Sequence, residues 1–316
     1  MRVTSSHLRV FILIVAMAEI GTNSAVAWQT EPIQPVAAKP NIGKPKPLIV
    51  GETFQLDSKV TGEAHQINVW MPPKTEENAK YPVLYLIDGG VDQDFQHIAG
   101  LAQLATINGR YEVPIVVGVR TSNRQKQLTA GMTDPRYLPW NKAYSMGGAD
   151  KFHQMIQEEV RPFVEAEYPH DGRRIVLGES LAGFFVMREF LRYPNSFTHY
   201  ICVSPSLWLD DRRLARDAAT LLQKHDSSPR KLYVTIANEG GTMRDGLDRV
   251  LAAIKAANSK TLELTFVDRS KSESHSTIYH GATLDALTKL FGKPTPDYGP
   301  LPWYLREDGK PEDDKK

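Results

Sequence analysis

With one cysteine, Cys202, in 316 residues, the chain cannot form an intramolecular disulfide. Cys202 lies inside the apolar run Tyr200-Ile201-Cys202-Val203 and reads as a buried strand residue with no catalytic role. An excess of charge is equally lacking. Lys and Arg number 38 against 37 Asp and Glu, which gives no footing for nucleic acid or an anionic membrane as partner. No HExxH, Cys-rich or nucleotide-binding glycine motif occurs, so neither a metal nor an organic cofactor is implied. There is no internal repeat. The apolar run VFILIVAMA at 10–18 is too short to span a bilayer comfortably.

That run has a different use. Arg2 and Arg9 flank a polar start, and Ala25-Val26-Ala27 supplies an A-x-A cleavage signal. Residues 1–27 read as a cleaved secretory signal rather than a lone uncleaved anchor. No lipobox cysteine precedes the cleavage site. The expected location is the periplasm or the medium, with no stable membrane insertion after cleavage. Residues 28–48, rich in Pro, Ala and Lys, read as a flexible leader. Residues 293–316, ending in REDGKPEDDKK, read as a solvated polar tail. A single catalytic domain is left at 49–292.

Within it, residues 52–60 and 65–71 alternate as two antiparallel strands. PVLYLID at 82–88 and PIVVGVR at 114–120 are continuous apolar strands buried on both faces. The first is followed by a helix at about 93–107. Residues 121–147 show little periodicity and read as a long functional loop. Helical spacing over 148–168 precedes a strand at 173–177 and a helix to about 192. Strands at 200–204, 231–237 and 262–267 then alternate with helices at 210–224, 243–257 and 277–291. The alternation predicts an α/β class: an α/β-hydrolase fold with a mostly parallel sheet of about eight strands and helices on both faces.

The chain is organised around RRIVLGESLAG at 173–183. Gly178 permits a tight turn between strand and helix, which aims the Ser180 hydroxyl out of the sheet as a nucleophile elbow does. The usual fifth-position glycine is Ala182 here, followed by Gly183. A serine becomes nucleophilic at neutral pH only with a base, and the base needs a carboxylate to fix its tautomer. Ligands of open α/β sheets sit at the carboxyl ends of the strands. Those ends deliver Ser180, then Ser206 and Trp208, then Glu239, then His275. The order Ser180, Glu239, His275 is the Ser, acid, His order of α/β-hydrolases. Among competitors, His280 falls within a helix and His199 and His225 sit at the wrong ends of their elements. Asp210 and Asp211 read as first-turn acids, and Asp245 and Asp248 as helix residues. An oxyanion hole needs two N–H donors. The sequence offers those of Leu181, after the nucleophile, and Gly90, in the turn after 82–88.

VLYLIDGG, SNRQKQLT, GGADKFHQMIQEEVRPFVE, GESLAG, YICVSPSLW and ESHSTIYHGATLDAL together resemble the putative esterase family of α/β-hydrolases. That family includes enterochelin (siderophore) esterases and their periplasmic relatives. The resemblance covers roughly residues 50–292. It implies Ser180 as nucleophile, His275 as base and Gly90 as oxyanion donor, with either Glu239 as acid or a Ser180–His275 pair working without one, as in some relatives. It also implies that Arg124 either holds an anionic group of the substrate or braces its loop, and that Trp208 either lines the pocket or packs. The family usually carries His before the serine and Gly-Gly after the next residue, so Glu179 and Ala182 depart from its pattern. The expected activity is cleavage of a carboxylic ester, siderophore-type or another small or aryl ester, through an acyl-enzyme. Acyl transfer by the same triad and a non-catalytic binding protein on the same fold are the alternatives.

Overall fold

Eight strands form a single sheet in the order β1-β2-β4-β3-β5-β6-β7-β8 in the computed structural model, which describes residues 43–73, 77–225, 228–294 and 303–305. The signal, residues 28–42 of the leader and most of the tail expected from the sequence therefore lie outside the described residues, while residues 43–48 of the leader are exposed and form no helix or strand. Within the tail, Trp303–Leu305 makes one 3-10 turn. Contacts divide the chain after Leu48, and the unit Ile49–Lys316 contains all the strands and helices described below. No helix among the described residues is long and apolar enough to cross a membrane.

The strands are β1 (Glu52–Asp57), β2 (Ala64–Trp70), β3 (Tyr81–Ile87), β4 (Ile115–Val119), β5 (His170–Glu179), β6 (His199–Val203), β7 (Arg230–Ile236) and β8 (Leu262–Asp268). β1 pairs antiparallel with β2, and β2 with β4. Every other pairing is parallel. Side chains alternate across the pleat. Leu84 and Leu86 of β3 therefore enter a core with α1 (Phe95–Asn108) and α9 (Ile278–Phe291). Val83, Tyr85 and Ile87 enter the opposite core. The helices on that second face are α4 (Ala149–Met155), α5 (Arg161–Glu167), α6 (Leu181–Arg192), α7 (Leu209–Leu222) and α8 (Gly241–Ala257). The mostly parallel sheet covered on both faces is the α/β-hydrolase architecture expected from the sequence.

Three segments differ from the sequence reading. Residues 121–147 hold two short helices, α2 (Arg124–Leu128) and α3 (Leu138–Ala143), each too short to show a periodicity. The helix expected over 148–168 widens into a π turn at Ile156–Val160, between α4 and α5. Pro162 stands in the first turn of α5; it has no N–H to give the carbonyl four residues back, and its ring crowds that carbonyl. Asp210 and Asp211 are not ordinary first-turn acids, because residues 210–212 all adopt left-handed backbone (φ 50°, 49° and 60°). Asp210 is 4% exposed and its carboxylate works on another segment. It accepts from Thr133 N (2.9 Å), Asp134 N (2.7 Å) and Thr133 Oγ1 (2.9 Å) and pairs with Arg213 Nε at 3.0 Å. The loop between β4 and α4 is thereby tied to α7.

Candidate functional site

The elbow follows from what fits between β5 and α6. A Cβ on Gly178 would lie 2.6 Å from the Ala182 carbonyl carbon and 2.8 Å from the Ala182 methyl. Strand and helix therefore approach as closely as one methyl allows, and Ala182 is tolerated where the motif has glycine. Gly183 is the stricter position: a Cβ there would meet the Val203 carbonyl oxygen at 2.7 Å. Ser180 takes φ 59° and ψ −117°, a strained conformation held by its surroundings. Its N–H donates to Val203 O at 3.0 Å, and its carbonyl accepts from Phe184 N (2.9 Å) and Ser206 N (3.0 Å).

The other members arrive from the next strand ends. Glu239 follows β7 and His275 follows β8, on loops joined by Asn238 N donating to Glu273 O at 3.0 Å. The His275 turn is set by Ser274 N donating to Thr277 Oγ1 at 3.0 Å and Thr277 Oγ1 donating to Glu273 Oε2 at 2.6 Å. His275 Nε2 lies 2.9 Å from Ser180 Oγ, and its Nδ1 is hydrogen-bonded to Glu239 Oε1. The three residues thus form one hydrogen-bonded line, with the imidazole 43% exposed. Asp245 is engaged elsewhere, with Arg212 at 2.6 Å and Arg249 at 2.9 Å. His199 is buried at the start of β6, where burial lowers its ring to about 4. The Cys202 thiol is buried within β6 and pushed well above its ordinary range by that burial.

The residues around the line are more occupied than the sequence suggested. Leu181 N–H is at the first position of α6, where no intrahelical acceptor exists. Gly90 N–H donates to Gln93 Oε1 at 2.9 Å, while Gln93 Nε2 donates to Thr121 O at 3.0 Å. An oxyanion reaching Gly90 would have to displace that amide. Nothing in the residue pattern marked Gln93. Arg124 braces rather than standing open: its Nε donates to Asp88 Oδ2 at 2.8 Å and its Nη2 lies 2.7 Å from the same oxygen. Trp208 packs edge-on against Trp140 (5.9 Å), which in turn meets Tyr137 (5.3 Å) and Tyr144 (6.1 Å). These half-buried and exposed rings form an aromatic wall beside the turn that Ser206 ties to Ser180.

Glu179 is the residue whose part the sequence left undefined. Its Oε1 lies 3.2 Å from His275 Nε2, the nitrogen that also faces Ser180. Burial pushes its carboxyl up from 4.5 to about 7, against the opposing pull of His275 and Arg124 and with smaller upward pushes from Asp94 and Glu239. An ionised Glu179 favours the protonated imidazole, which cannot accept a proton from Ser180. Glu179→Gln is therefore expected to move the acid limb of the kcat/KM–pH profile to lower pH. At water-like screening, a charge at that distance is worth about 1 kcal/mol, or about one pH unit. The stability effect has a definite sign as well. A carboxyl raised on folding contributes fully below about pH 4.5, and the contribution fades as pH rises through about 7. The variant should accordingly gain stability over the native chain above pH 7. A limb that stays in place would show that Glu179 is uncoupled from the base.

Comparison with known proteins supplies the rest. A curated relative from Bacillus subtilis (strain 168), ferri-bacillibactin esterase BesA, is 27% identical over 173 residues, covering 49% of this chain and 58% of its own. The siderophore enterobactin esterase of Emericella nidulans is 28% identical over 214 residues, covering 60% and 66%. The chain thus matches somewhat under two thirds of each relative's length. Among solved structures, an IroE-like serine hydrolase from Shewanella oneidensis superposes with a TM-score of 0.66 at 26% identity, covering 76% of this chain and 80% of its own. The BES protein from Bacillus cereus shares the fold, with a TM-score of 0.67 at 22% identity over 78% of this chain and 98% of its own. The family profile described as "Putative esterase" matches residues 58–284, and the chain belongs to that family.

Proposed function

We propose that this protein is an exported serine hydrolase that cleaves a carboxylic ester of siderophore type through an acyl-enzyme. The observation that carries the reading is the hydrogen-bonded line Ser180 Oγ, His275 Nε2, His275 Nδ1, Glu239 Oε1, beside the Leu181 N–H at the first position of α6, where a helix supplies no acceptor of its own. In the first half-reaction Ser180 Oγ attacks the ester carbonyl while His275 Nε2 takes its proton. The Leu181 N–H stabilises the developing oxyanion. Collapse expels the alcohol, which leaves with the proton from His275. Water then attacks the acyl group on Ser180, His275 again taking and returning a proton. Glu239 holds the imidazole in the tautomer this requires.

The relatives are esterases of siderophores, which supports a small-molecule siderophore ester as substrate class, and the Trp140 and Trp208 rings offer apolar faces to its aryl or acyl part. The run at 10–18 and the Ala-Val-Ala at 25–27 support export. One experiment tests the combined reading. Protein recovered from the native host's periplasm or medium is sequenced at its N-terminus and assayed on p-nitrophenyl esters of graded acyl length and on a triscatecholate trilactone. A mature chain beginning near Trp28 that hydrolyses the trilactone is expected. A cytosolic chain starting at Met1 would overturn export, and hydrolysis of simple esters alone would overturn the substrate class.

A further inference from the structure

Asp94, His97 and His280 are not members of the Ser180–His275–Glu239 line and have no part in the mechanism above, although Asp94 is near enough to Glu179 to push its carboxyl upward. Asp94 is the residue that precedes α1, His97 is in its first turn, and His280 is in the first turn of α9. Their ligand atoms all lie within 4.8 Å of one another. His97 Nδ1 is 3.3 Å and His280 Nε2 is 3.4 Å from the same oxygen, Asp94 Oδ1. The two rings stand edge to face at 73°, with centroids 4.7 Å apart.

Two features make a hydrogen-bonded surface cluster an inadequate description. The N···O separations exceed the ~2.7–3.2 Å of well-formed hydrogen bonds. They match the edge of a tetrahedral shell, because ligand bonds of about 2.0–2.1 Å place neighbouring ligand atoms roughly 3.3–3.4 Å apart. An aspartate at the position before a helix ordinarily accepts from that helix's own N–H groups. Asp94 makes no such side-chain bond, and its carboxylate is turned to the two imidazoles instead.

We propose that Asp94, His97 and His280 form a binding site for a divalent first-row transition metal of zinc type, which clips the start of α1 to the start of α9. Two imidazoles and one carboxylate are a donor set for zinc, copper or nickel rather than for calcium or magnesium. Partial exposure of 31% at Asp94 and 48% at His280 leaves an entry path and room for water to complete the shell. The clip joins two turns distant in sequence. Asp94 N–H donates to Asp88 O at 3.2 Å and Phe95 N–H to Gly90 O at 3.3 Å, closing the turn that carries Gly90. α9 begins directly after the turn that carries His275. An occupied site therefore holds those two turns in fixed relation. Motif scanning passes over it, since a single histidine from α9 completes a pair at the start of α1.

The test is titration of the chelator-treated full chain with zinc alone by calorimetry, with the thermal midpoint measured in parallel. One equivalent should bind and raise the midpoint. His97→Ala and His280→Ala should each weaken binding by at least the ~10–100-fold that loss of a mere supporting partner costs. His275→Ala, which removes the other exposed imidazole beside carboxylates, should bind zinc as the native chain does. Undiminished binding in His97→Ala and His280→Ala, loss of binding in His275→Ala, or no saturable binding to the native chain would each overturn the proposal. None of these outcomes depends on whether the substrate is a siderophore ester.

Discussion

Ser180→Ala is expected to lower ester turnover by on the order of 10⁴–10⁶ while leaving the fold in place. The backbone at this position is anchored by its own N–H and carbonyl, through Val203, Phe184 and Ser206, and none of those bonds involves Oγ. The hydroxyl is hydrogen-bonded to a half-exposed imidazole, so its removal opens no cavity in either core. Alanine carries the same Cβ and meets the same constraint at φ 59°. Far-UV circular dichroism and the thermal midpoint should match the native chain, and only the reacting oxygen is lost. Retention of more than a few per cent of activity in the purified variant would show that another residue is the nucleophile.

The second large effect separates the base from the acid. His275→Ala should approach the loss seen for Ser180→Ala, because Ser180 is left with no proton acceptor. Glu239→Gln should lose less, up to roughly 10⁴. The imidazole stays in place but its orienting acceptor is neutral and presents a competing donor. The geometry adds a condition that general triad logic lacks. Glu179 is a second carboxylate on the same ring, 3.2 Å from Nε2, whereas Asp245 is held by two arginines and is no substitute. Steady-state kinetics of Glu239→Gln, Glu179→Gln and the double variant would apportion the roles. If Glu239→Gln proves silent and only the double variant is impaired, Glu179 shares the acid's task. If both are silent, Ser180 and His275 work as a pair.

What could be read from the chain was whatever residue type and spacing decide locally. β-branched runs marked the buried strands, because only a strand covered on both faces is apolar throughout. Gly178 and Gly183 marked the elbow, because the approach of α6 to the sheet leaves no space for a Cβ at either. The strand ends then put Ser180, Glu239 and His275 at one edge of the sheet, where hydrogen bonds join them. What escaped was decided by partners distant in sequence. Gln93 occupies Gly90 N–H through a side-chain rotamer that no spacing encodes. Arg124 is drawn to Asp88, and Asp210 leaves helical geometry to serve Thr133 and Asp134. Glu179 stood out only as a departure from a family pattern; its raised carboxyl depends on burial, which a sequence does not state.

The bonds from Asp210 bear on how this family can acquire new substrates. Residues 129–148 carry Trp140, and their neighbour Trp208 immediately precedes α7, so the aromatic wall spans two separate stretches of chain. Asp210 couples them with a carboxylate that is 4% exposed and takes three donors from Thr133 and Asp134. A transplanted loop lacking those donors would leave the carboxylate with Arg213 as its partner and its other acceptor sites unfilled in a dry position, a cost of about 1–3 kcal/mol for each partner lost. Recombination of the loop alone is therefore penalised. Exchange that includes residues 208–213 is not, and laboratory evolution of substrate preference should treat the two stretches as a single heritable cassette.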